Sequence, residues 1–129
     1  MSTYGYSKHL TIPFEEAVEK TVTALKAQGF GILTDIDVQK TLKEKLGVEF
    51  RRYRILGACN PPRAYKALQR EEEIGLLLPC NVIVYERDDG SVVVSAQRPT
   101  IAFSVINNVS LEPLAQEVET ILKGVIDAL

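Results

Sequence analysis

Two cysteines, a single histidine and a cluster of arginines hold most of the reactive chemistry in this 129-residue chain. Cys59 stands just past one predicted strand and Cys80 opens the next. If those strands are antiparallel neighbours, the segment between them returns the chain to the same end of the sheet and the two thiols share a rim. Asn60 and Pro61-Pro62 predict a helix start directly after Cys59, and the positive end of that helix would lower the Cys59 pKa. Such a pair serves either as a reactive thiol with a resolving partner or as half of a soft-metal site. Free cysteine is also among the most often buried residue types, so two packed, inert thiols satisfy the same sequence. The spacing matches no compact motif such as C-x-x-C. Zinc prefers four ligands, and only His9 and carboxylates remain to supply the others, so no metal ligands are assigned.

His9 falls on the polar phase of the first predicted strand, where an exposed place is expected. Without a nucleophile motif beside it, no acid–base relay can be assembled. Arg51-Arg52-Tyr53-Arg54 concentrates charge on another predicted strand, and alternation would align Arg52 and Arg54 as an anion clamp. A charge-balanced surface, with Glu49 and Glu71 to Glu73 as partners, is the plainer reading. Gly29-Phe30-Gly31 precedes a strand and lacks a third glycine at the spacing that opens a dinucleotide-binding helix. The candidate ligand-binding residues are therefore Cys59, Asn60, Pro79, Cys80, Arg52 and Arg54, with no catalytic residue and no cofactor named.

The elements that must position these residues follow from periodicity. Residues 4–12 alternate as a strand. From Pro13, the apolar positions Phe14, Ala17, Val18, Thr21, Val22 and Leu25 form a helical stripe that stops at Gly29. Phe30 to Asp35 predicts a second strand, and Val38, Leu42 and Leu46 a short helix, capped by Asp35 or Asp37 and closed by Gly47. Phe50 to Ala58 reads as a third strand, followed by a helix from Asn60 to about Arg70. Cys80–Glu86 and Ser91–Arg98, joined through Asp89-Gly90, carry the strongest hairpin signal. Thr100 to Ile106 is β-rich but follows Pro99, leaving an edge strand and an irregular connection both open. The last segment predicts a long helix, with Ser110 as its N-cap, Leu111, Leu114, Ala115, Val118, Ile121, Leu122, Val125 and Leu129 on one face, and Glu119 on the other.

No repeat, linker or composition break divides the chain, so one domain with a shared core is expected over residues 1–129. Hydrophobic residues make up 46% and charged residues 25%, near the average for globular domains. A formal net charge of -2 supplies no positive field for a phosphate backbone, which argues against nucleic acid. No apolar run approaches the ~20 residues of a membrane span, so no membrane association and a cytoplasmic protein are expected.

Gly29-Phe30-Gly31-Ile32-Leu33-Thr34, Thr41-Leu42-Lys43-Glu44-Lys45-Leu46-Gly47, Leu56-Gly57-Ala58-Cys59-Asn60-Pro61 and Gly75-Leu76-Leu77-Leu78-Pro79-Cys80-Asn81-Val82 together resemble the domain-of-unknown-function family 302. The likeness covers nearly the whole chain in order. It implies an α+β fold of the TATA-binding-protein-like class, a curved, mainly antiparallel sheet with helices packed on one face, often assembled as a homodimer. It implies no established activity. Three readings follow. The first is a small dimeric binding module with a small molecule or soft metal near Cys59 and Cys80. The second is a structural or regulatory interaction domain with inert cysteines, and the third a thiol-based redox enzyme using Cys59 as nucleophile.

Overall fold

The computed structural model describes residues 2–129. Along the chain run β1 (Gly5–Leu10), α1 (Phe14–Ala27), β2 (Gly31–Asp37), α2 (Val38–Leu46), β3 (Tyr53–Cys59), α3 (Pro61–Arg70), β4 (Cys80–Glu86), β5 (Val92–Gln97), α4 (Pro99–Ala102) and α5 (Glu112–Asp127). Short 3-10 turns occupy Glu72–Leu77, Phe103–Ile106 and Val109–Leu111. The strands form one sheet in the order β1-β5-β4-β3-β2, every neighbouring pair antiparallel. The fold is α+β, as the periodicity predicts.

Alternation gives the sheet two different faces. One presents Leu10, Val82, Val84, Val92, Val94, Leu56 and Ala58, all buried, beneath α1 and α5. Phe14, Ala17, Val18 and Leu25 of α1 and Val118, Leu122, Val125 and Ile126 of α5 close that core. Full burial of each valine, leucine, isoleucine or phenylalanine among these contributes about 1.5–3 kcal/mol relative to exposure. Ile126 of α5 is fully buried and covers the sheet. The other face carries Ser7 and His9 of β1, Val93, Ser95 and Gln97 of β5, Asn81, Ile83 and Tyr85 of β4, and Tyr53, Ile55 and Gly57 of β3, opposite the face that α1 and α5 cover.

Local signals hold where the partner is local. Asp37 accepts a hydrogen bond from Lys40 N at the start of α2, and Gly47 ends that helix with φ +67°. Gly90 turns the β4–β5 hairpin at φ +85°. Four expectations need correction. Arg51 and Arg52 precede β3, because pairing with β4 begins only at Tyr53 opposite Tyr85. Thr100 to Ile106, left open between an edge strand and an irregular connection, is helical: Glu119 of α5 accepts from both the Thr100 backbone N (3.1 Å) and the Thr100 hydroxyl (2.6 Å), fixing the turn that Pro99 starts. Glu119 is consequently buried, not on the solvent face. Ser110 is not the α5 N-cap; it lies in the preceding 3-10 turn, where Asn108 caps it, and α5 follows without a side-chain cap.

Candidate functional site

β3 ends at Cys59 and β4 begins at Cys80, so antiparallel pairing places both at one end of the sheet. Between them the chain makes α3 and the Glu72–Leu77 turn, then returns through Leu78-Pro79, a cis peptide bond. Asn60 fixes the departure from the sheet. Its Oδ1 accepts from Arg63 N (3.2 Å), capping α3, while its Nδ2 donates to Gly29 O (3.3 Å), tying that cap to the end of α1. Pro61 and Pro62 fill the first two helical positions, where a missing N–H costs nothing.

This arrangement leaves a cavity of about 350 Å³ under the strand ends. Cys59, Asn60, Pro79 and Cys80 all line it; Arg52 and Arg54 do not. The rest of the wall comes from α3 (Arg63, Ala64, Ala67, Leu68), α5 (Leu114, Val118) and the side chains of Phe30, Leu33 and Phe103, so it is almost wholly apolar. The α3 contribution follows helical spacing. The α5 residues and Phe103 carry no local signal, because what makes them wall rather than core is a long-range packing arrangement.

The thiols do not behave as a helix-activated pair. Burial pushes the Cys59 pKa up, and burial followed by the nearby Cys59 pushes Cys80 up to about 11. The expected lowering by α3 fails for a structural reason. Its first two residues are prolines without N–H groups, and the next two N–H groups are satisfied by Asn60. At neutral pH both thiols are therefore protonated and uncharged. Register also separates them. Cys80 pairs with Ala58, whereas Cys59 lies one residue further and pairs with Gly31, so their Cβ bonds leave opposite faces of the sheet. A disulfide between them requires the strand ends to move.

The remaining candidates are dispersed. Arg54 is held by Asp35, through both Nε and Nη2, and by Glu15 at 3.8 Å; its hydrogen bonds to Asp35 keep that carboxyl below its usual range. Arg51 pairs with Asp88. Arg51 and Arg54 thus have carboxylate partners, though not the glutamates expected from the sequence, and Arg52 makes no ion pair among the described residues. His9 is exposed on β1, its Nε2 3.3 Å from Arg87 Nη1, near the opposite end of the sheet from Cys80. Among the described residues no group of three or more His, Cys, Asp or Glu could hold a metal, and no helix is long and apolar enough to cross a membrane.

Comparison with known proteins matches residues 6–129 to the family described as "Domain of unknown function DUF302". A solved structure described as an uncharacterized conserved protein DUF302 from Bacillus stearothermophilus superposes with a TM-score of 0.90 at 29% sequence identity, covering 98% of each chain. No curated protein matches the chain.

Proposed function

Because the chain belongs to the DUF302 family, which brings a fold but no activity, we propose from its own geometry that it is a small-molecule binding module whose site is the cavity beneath Cys59 and Cys80. The observation that carries this reading is the cavity itself. At about 350 Å³ it falls within the size range of small-molecule sites, and its wall is apolar as such sites usually are. Two neutral thiols suit that wall and argue against the redox reading.

The test is titration with N-phenyl-1-naphthylamine, an uncharged apolar fluorophore. Fluorescence should rise on binding to the wild-type protein and fail to rise with Ala64→Phe, which fills the cavity from α3. No saturable signal with the wild-type protein would overturn the reading.

A homodimer is the second reading, and the sheet face opposite α1 and α5 favours it. Across β1, β5, β4 and β3 that face presents no Asp, Glu, Lys or Arg. Ile83 lies near its middle, and the stacked pair Tyr53–Tyr85, 5.4 Å between ring centroids, lies at the end where β3 begins. Two-fold contact sets each patch against its own copy, and an uncharged patch meets no repulsion there.

A further inference from the structure

The polar groups that border the cavity beneath the strand ends are engaged by the protein itself. Asn60 has both ends of its amide in use, Oδ1 accepting from Arg63 N and Nδ2 donating to Gly29 O. Its own carbonyl accepts from Ala64 N (2.9 Å), and the Gly75 carbonyl accepts from Leu78 N (3.3 Å). Pro79 has no N–H to offer. Ala58 and Cys80 are partners in one ladder, Cys59 and Gly31 in another. Arg63 contributes its aliphatic stem, while Glu117 of α5 accepts from Nε and Nη2 of the guanidinium. The two thiols are uncharged and act as small apolar groups. No buried side-chain nitrogen or oxygen among the described residues lacks a partner. An incoming molecule therefore meets almost no polar surface.

The opening is apolar as well. Leu33 and Leu68 line the cavity and are also exposed, so they stand where it meets solvent, and neither can bond a polar head group. Phe30 and Phe103 add two aromatic rings to the wall, and a ligand ring gains edge or face contacts with them that an alkyl chain of equal area does not. A cavity of about 150 Å³ holds one benzene ring, and the roughly 350 Å³ here leaves room for a second. Resting on the cavity reading above, we infer that the ligand is an uncharged hydrocarbon of one or two rings, with no hydrogen-bonding group on the part the cavity encloses. A hydroxyl or carboxylate carried into this wall gives up water and finds no partner, and a charged group loses the most. Specificity here is exclusion: polar analogues are rejected by what the wall withholds.

The experiment compares 2,6-dimethylnaphthalene with 2,6-dihydroxynaphthalene, two bodies of similar shape that carry methyls or hydroxyls at both ends, by fluorescence titration. Whichever end enters, the second compound buries a hydroxyl. The dimethyl compound should bind the wild-type protein at least about tenfold more tightly, the scale of one unpaired buried hydroxyl. Ala64→Phe and Leu68→Trp, the second at an exposed position that tolerates a larger side chain, both narrow the cavity and should each weaken the dimethyl compound. A preference below about tenfold would overturn the hydrocarbon assignment while leaving the apolar site intact. Binding of the dimethyl compound that survives both substitutions unchanged would overturn it as well, since the compound would then sit elsewhere. Saturation by neither naphthalene while N-phenyl-1-naphthylamine still binds would remove this inference alone. Failure of all three compounds would remove the cavity reading with it.

Discussion

At the scale of single residues, the cavity wall is set by what the side chains lack. Cys59 and Cys80 have no activating N–H groups behind them and lie on opposite faces of the sheet, so proximity has not made them a redox pair. Iodoacetamide near neutral pH should label Cys59 more slowly than a free thiol and Cys80 more slowly still, as followed by mass spectrometry. Labelling of Cys59 faster than free cysteine would contradict the raised pKa. Gly57 marks the tightest approach at this end of the sheet. A Cβ there would overlap Thr34 Oγ1 and stand 2.8 Å from Pro79 Cγ. Gly57→Ala should destabilise the fold by about 1–3 kcal/mol, as overpacking does, and chemical denaturation checks it; an unchanged midpoint would mean that Thr34 and Pro79 yield freely. The sequence makes four wall residues legible, Cys59, Asn60, Pro79 and Cys80, because they end or begin paired strands. It does not disclose that Gly57 must lack a side chain, since the obstructing atoms belong to β2 and to the segment entering β4.

At the scale of elements, what can be read in advance depends on whether a segment's partner is local. Caps and turns whose partners lie within a few residues, such as Asp37 with Lys40, Asn60 with Arg63 and the Gly90 turn, are visible in the sequence. The stretch after Pro99 is not. Its β-branched residues suggest a strand, yet a carboxylate 19 positions away determines its shape. Burial alone would raise the Glu119 pKa, but the Thr100 and Arg98 hydrogen bonds outweigh it and hold the carboxyl below its ordinary value of 4.5. With the folded value lowered, the unfolded chain binds more protons in acid. The contribution of Glu119 is thus complete above its ordinary value and lost as pH falls through the lower folded one. Glu119→Gln should cost about 1–3 kcal/mol at neutral pH and flatten the acid limb of the stability curve. An acid limb as steep as that of the wild-type protein would show that other carboxylates, Asp35 among them, dominate it.

At the scale of the whole molecule, one face of the sheet carries the core and the other is an uncharged surface of tyrosines, serines, amides and aliphatics. If that surface is the contact between two copies, light scattering should return twice the 14.3 kDa chain mass, and Ile83→Lys, which sets like charges together across the two-fold, should return a monomer. A monomeric wild-type protein would remove the second reading. The strand order has a consequence for how the chain reaches this structure. β2, β3, β4 and β5 are neighbours in both sequence and space, joined by the tight turn between β4 and β5 and by longer connections through α2 and α3. β1 is the exception: Gly5 pairs with Gln97, and α1 must cross from that edge of the sheet to β2 at the other. Ordering so long an intervening chain precedes any reward from contact, which makes β1 the last strand to dock and the first to detach. Val84→Ala in β4 should therefore act mainly by slowing refolding, and Leu10→Ala in β1 mainly by hastening unfolding. While β1 is detached, the hydrogen-bonding edge of β5 stands open, and the chain is then most vulnerable to pairing with another.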